Sequence, residues 1–167
     1  MKQQPLVLKN KIKAYSAIAG SLVINQAVDA QIAYTDVNPD YTSVNHMDTY
    51  SLDLNNDGTF DFDIIQGKIG GNNNIWANPK GTQNAIGVSY SSALFYPANL
   101  NANSAIGNSL VWKTGTGSNA RFLAHSAPSL YTTWGFWLGA VDEYLPLKLI
   151  KTGQTYYGWA RLSVLSD

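Results

Sequence analysis

Apolar side chains recur at every second position over several stretches of this chain. Tyr50, Leu52 and Leu54 alternate with polar neighbours, Phe60, Phe62 and Ile64 alternate with Asp61 and Asp63, and Leu145, Leu147 and Leu149 alternate with Pro146, Lys148 and Ile150. Successive side chains of an extended chain point to opposite faces, so this period predicts strands with one buried face. Between them stand turn formers: Asn55 to Gly58, Gly70 to Asn74, Asn78-Pro79, the Asn-rich run from Asn99 to Asn108, Gly115 to Gly117, and Thr152 to Gln154. After residue 30 no stretch holds a helical period behind a capping residue. Short strands separated by such turns predict an all-β, antiparallel β-sandwich with jelly-roll-like character.

Two segments carry more local detail. Lys148-Leu149-Ile150 and Thr155 to Leu162 flank Thr152-Gly153-Gln154, which predicts a tight hairpin with Gly153 in the left-handed region. Trp134, Phe136 and Trp137 cluster around Gly135, and Gly139 follows. Glycine beside large rings lets a ring lie on bare backbone. Core packing accounts for such aromatics; a sugar-stacking platform is the alternative, and it requires two rings exposed on one face.

The N-terminus changes the domain picture. Lys2, Lys9, Lys11 and Lys13 precede a short apolar stretch, Ala14 to Ile24, and Val28-Asp29-Ala30 offers small residues for cleavage. Residues 1–30 therefore read as a secretory signal, too short for a membrane span of about 20 residues, and residues 31–167 as one β-sandwich domain. The expected location is secreted, extracellular or on the cell surface, with no membrane span after residue 30. Removing 1–30 leaves seven basic and ten acidic residues, and the whole chain is only 13% charged, which argues against nucleic acid as a partner. The chain has 0 Cys, so disulfides cannot offset its loop entropy. A core, helped by a metal, has to do so.

The strongest chemical signal is the run from Asp53 to Asp61. Oxygen donors at alternate positions, Asp53, Asn55 and Asp57, then Gly58 for a sharp bend, the Thr59 carbonyl and the Asp61 carboxylate form an order that wraps a hard cation. Calcium, in a structural role, fits this set better than magnesium, which demands a stricter octahedron. Ile64 stands where an EF-hand has its bidentate Glu, and the flanks alternate as strands, so a helix-opening sensor is not implied. The alternative is a metal-free Asn-Asp-Gly turn. Asp63 ranks behind the others as a ligand because alternation points it the same way as Asp61.

The loop resembles the short Asp-x-Asn-x-Asp-Gly-x-x-Asp loops of thrombospondin type 3 repeats and integrin-type propellers, over nine residues. A wider set of blocks runs from Asp29-Ala30-Gln31 through Ile32 to Asp40, Tyr50 to Gly58 and Gly153 to Leu162. Together these resemble a group of exported Bacteroidetes proteins of unassigned function, with related blocks in proteins that carry PEP-CTERM tails. The resemblance implies a secreted or surface domain and leaves about Gly67 to Tyr144 without a motif. It also implies a further hairpin or sorting domain after the Trp159 segment; the sequence stops at Asp167, which reads as a shortened form.

Catalytic constellations are scarce, and the expectation is a protein that is not an enzyme. There are 2 His and one Glu, and neither His46 nor His125 has ligand spacing around it. Glu143 beside Asp142 is the best candidate for half of a glycosidase pair, a distant third reading. Gly115-Thr116-Gly117 lacks the third glycine and the helix of a dinucleotide fingerprint. Two readings stand ahead. One is a calcium-braced structural or adhesive module that meets matrix or surface proteins. The other is a carbohydrate-binding jelly roll in which Trp76, Trp112, Trp134 or Trp137 stacks on sugar rings.

Overall fold

The computed structural model describes residues 15–20, 33–37, 40–91, 93–114, 121–127 and 132–165. Among them the chain forms strands in two antiparallel sheets and no α-helix, as the two-residue period predicts. One sheet has seven strands, in the order β2 (Ala33–Asp36), β1 (Tyr15–Gly20), β12 (Gln154–Leu162), β11 (Glu143–Lys151), β6 (Ala85–Ser91) and β7 (Leu94–Pro97). Its seventh, β8 (Val111–Thr114), pairs with β6 on the edge opposite β11 and β7. The second sheet has five, in the order β10 (Thr132–Gly135), β9 (Phe122–Ala127), β5 (Asn72–Pro79), β4 (Phe62–Ile69) and β3 (Thr49–Leu52). The stretch Tyr15–Gly20, within the segment read as a signal, pairs with β12 and β2; the cleavage residues Val28 to Ala30 and the Gly115 to Gly117 turn lie outside the described residues.

Alternation decides what the sheets enclose. Leu145, Leu147 and Leu149 point inward and meet Phe62, Leu52, Leu123, Ile86 and Trp137 in one buried cluster. The β11–β12 hairpin closes through Thr152 (φ 50°) and Gly153 (φ 77°), so Lys151 faces Gln154 and Leu147 faces Gly158. Both loop residues are left-handed, the pairing whose twist matches the strands. Other details differ from the sequence reading. Phe60 is 54% exposed and precedes β4, and Leu54 is buried beyond the end of β3. Only Gly70 and Gly71 turn the β4–β5 hairpin, whereas Asn72 to Asn74 and Asn78-Pro79 belong to β5, where they pair in register with β4. Gly135 carries no ring: a Cβ there would sit 2.2 Å from the Leu123 carbonyl oxygen, so its need is close backbone approach. The ring over bare backbone is at Gly67, where a Cβ would meet the Trp76 indole at 2.8 Å.

Candidate metal loop and aromatic face

Loop 53–61 connects β3 to β4 and is folded by its own side chains. The Asp53 carboxylate accepts hydrogen bonds from the backbone N–H of Asp57 (3.2 Å) and Gly58 (2.7 Å). The Asn55 side-chain oxygen accepts a second, longer bond from Asp57 N–H, and Asp57 itself accepts from Thr59 N–H at 2.9 Å. Left-handed Asn56 and Gly58 allow this winding. Asp61 is buried; its carboxylate accepts from Leu54 N–H at 2.9 Å, and its backbone N–H donates to Leu52 at 2.8 Å. The loop therefore closes on the last rung of the β3–β4 ladder.

A cation already meets this loop. Lys151, the last residue of β11, reaches across from the other sheet and its ammonium contacts the Asp57 carboxylate. That hydrogen bond is the main reason the Asp57 carboxyl falls to about 2, with Asn55 adding to it. The ammonium is raised in turn, first by the bond to Asp57 and then by the charges of Asp57, Asp61 and Asp53. Asp61 moves the other way: burial raises its pKa, the Leu54 N–H opposes this, and the charges of Asp53 and Asp57 reinforce it. As they stand, the three carboxylates are not gathered into a metal-holding group, nor is any other trio of such ligands among the described residues. Asp61 is turned towards Leu54 and Asp57 towards Lys151. Asp63 is not part of the loop: it pairs with Lys80 at 2.9 Å and accepts from the Ser51 hydroxyl at 2.7 Å on the outer face of the sheet. Asp61 lies before the regular strand, so alternation does not carry through to it.

The four tryptophans considered for stacking separate into three environments. Trp137 is fully buried and its indole N–H donates to the Pro97 carbonyl at 3.2 Å, so it has no ring face for a ligand. Trp112 is on the outer face of the seven-stranded sheet, 5.3 Å from Tyr157, with the Lys148 ammonium 5.6 Å from its ring centroid. Trp76 and Trp134 share the outer face of the five-stranded sheet, since Trp76 pairs with Phe122, Asn74 with His125, and Trp134 with His125. Trp134 is half exposed and stacks on His125 at 4.4 Å and 12°. His125 and Phe122 meet edge-on at 6.4 Å, and Phe122 and Trp76 at 6.3 Å.

A polar layer holds this row in place. Asn74 is buried, its amide donates to the Asn72 carbonyl at 2.8 Å, and its oxygen lies 2.6 Å from His125 Nδ1. With the amide nitrogen so used, the oxygen accepts and Nδ1 carries the proton. Burial lowers the His125 pKa, which favours the neutral ring beneath Trp134. The sequence reading does not single out Phe122 or Asn74 and sets His125 aside for want of ligand spacing; the Asn72 to Asn74 run reads as a turn, which hides the pairing of β5 with β9. Elsewhere, His46 Nδ1 accepts from Lys68 N–H at 2.9 Å, and Asp142 of the suggested acid pair is bound to Arg161 at 2.8 Å.

No family model, curated protein or solved structure matches the chain.

Proposed function

We propose that this protein is a secreted or cell-surface β-sandwich module with a structural or adhesive role, braced by calcium in loop 53–61. The observation that carries the reading is that the charges of Asp53, Asp57 and Asp61 all act on one cation, Lys151, where the β3–β4 loop meets the tip of the opposite sheet. An exposed ammonium in this place contributes little to stability because water screens it. A divalent ion held by several oxygens is a stronger brace, and calcium tolerates the irregular shell that Asp53, Asn55, Asp57, the Thr59 carbonyl and Asp61 can supply. In this reading calcium displaces the ammonium and draws Asp61 away from Leu54. A thermal melt with calcium, with magnesium and with a chelator tests it. Calcium at one hundred times its Kd adds about 2.7 kcal/mol; Asp57→Ala removes the gain. The same melting temperature in calcium and chelator sinks the assignment and leaves the Lys151 ammonium as the cation that meets the loop.

A carbohydrate-binding module is the second reading, favoured by the row Trp76, Phe122, His125, Trp134 on one outer face. A ring pinned from below by a stacked imidazole presents its other face with little entropy left to lose. Retention on insoluble polysaccharides, abolished by Trp134→Ala and untouched by Trp112→Ala, is the expected outcome. Equal loss in both variants rejects this face.

A further inference from the structure

The sheets do not meet along their whole length. Towards the C-terminal end of β4 they part around a cavity of about 880 Å³. Its walls include Tyr50, Ile64 and Ile75 from the five-stranded sheet, Leu162 from β12, and Leu138. These are five of the seven apolar residues that pack on the core while staying only partly buried, so the core is unfinished on this side. The mouth mixes carbon with charge: Tyr41, Val44 and Leu165 border it and are 47%, 72% and 80% exposed, beside Asp40 and the Asp142–Arg161 ion pair.

The cavity has a chemical direction. Along β4 the residues that line it pass from Ile64 to Gln66 to Lys68, and across β5 the partners pass from Ile75 to Asn73. Lys68 forms no ion pair with a carboxylate among the described residues. Its backbone N–H is tied to His46, which fixes the strand end against the turn at the mouth. Ordered water needs two to four polar partners per molecule; Gln66, Asn73 and Ser126 offer them towards the end of β4, while the walls around Ile64, Ile75 and Leu162 offer carbon. Ala124 and Ala160 line the cavity from opposite sheets and leave space that larger side chains would fill. The volume lies within the roughly 300–1,000 Å³ of small-molecule sites.

We propose that this cavity binds a long-chain fatty acid, with the acyl chain between the sheets against Tyr50, Ile64, Ile75 and Leu162, and the carboxylate at Lys68. Apolar walls match the chain, and the cation at the rim matches the head group while both stay near water, where neither loses its solvation. None of loop 53–61 and none of the four rings of the outer row lines the cavity.

The test is a fluorescence titration of the full chain with cis-parinaric acid, followed by displacement with palmitate and with methyl palmitate. Saturable binding reversed by palmitate is expected. Ile75→Trp fills the cavity from β5 and weakens binding by roughly tenfold or more, since overpacked space excludes the chain. Ser126→Phe does the same from β9 and stands in if the first variant does not fold. Lys68→Gln weakens palmitate about two- to fivefold, the scale of an exposed ion pair, and leaves methyl palmitate unchanged. Absence of saturable binding, or equal affinity in the folded filling variants, overturns the site; an equal response of acid and ester to Lys68→Gln overturns the head-group assignment.

Discussion

The two ends of the sandwich are built by one alternating pattern and differ in what it places inward. At the end near loop 53–61 the inward residues Phe62, Leu147 and Leu149 are buried to 1% exposure or less and belong to one cluster with Trp137. At the other end the cavity-facing positions hold Gln66, Lys68, Asn73 and Ser126, and the sheets part. A single strand crosses the whole gradient: Phe62, Ile64, Gln66 and Lys68 follow one another at two-residue spacing on β4. Alternation thus determines which face is inside, while the size and polarity of the inward residues determine whether the inside is filled. The closed end supplies the stability from which an open end can be held apart.

The comparison breaks most sharply under truncation. Leu147→Ala at the closed end removes a completely buried side chain among neighbours that cannot collapse, and is expected to cost about 2–5 kcal/mol. Ile75→Ala at the open end removes carbon that already faces space, so about 1 kcal/mol is expected, below the range for a fully packed site. Urea denaturation of both variants decides the matter. Equal losses mean that the cavity side is packed as tightly as the core, and the distinction between the ends fails.

A smaller effect sharpens the role of Asp61. Its folded pKa is raised above the ordinary 3.8 chiefly by burial. A raised acid binds its proton more tightly when folded, so its contribution is present below pH 3.8 and is lost as pH rises through the folded value. Asp61→Asn keeps an acceptor for Leu54 N–H and never carries the charge. In chelator the variant should match the parent near pH 3 and exceed it at pH 7, by about 1 kcal/mol, the scale of relieving one poorly solvated polar group. With calcium present the order reverses, because the variant has lost one charged ligand and holds the ion more weakly than the parent. A variant less stable than the parent at pH 7 in chelator removes the argument that Asp61 is strained without metal.

Much of this architecture was legible. The period of two yields β3, β4 and β11, and Thr152-Gly153 yields the hairpin, because local alternation and turn chemistry act over a few residues. The loop order from Asp53 to Asp61 is likewise local, and its residues fold around one another as their types suggest. What escaped depends on distant pairing. Lys151 meets Asp57 only because the tip of β11 lies over the β3–β4 loop, and Trp76 joins Trp134 only through β9. Asn72 to Asn74 read as a turn since asparagine favours turns, yet the pairing with β4 and β9 holds them in a strand. The cavity has no local signature at all, because it is set by small and polar residues on strands far apart in sequence.

The smallest expected effect concerns the outer face. Trp134 is half exposed, so Trp134→Ala forfeits little beyond its stacking on His125, about 0.5–1 kcal/mol. Its value lies in the pH dependence. Burial lowers the His125 pKa below the ordinary 6.5, so the neutral ring stabilises the fold above that pH and the contribution is lost as pH falls through the lowered folded value. Trp134 supplies part of that cover, stacked 4.4 Å from the imidazole. Its removal lets water reach the ring, moves the folded pKa back towards 6.5, and flattens the fall in stability between about pH 7 and 5. Denaturant titrations across that range, compared with a His125→Gln background, isolate the effect. An unchanged slope in Trp134→Ala means that the imidazole owes its burial to Asn74 and Phe122 alone, and the tryptophan is then a surface ring resting on a site it does not shape.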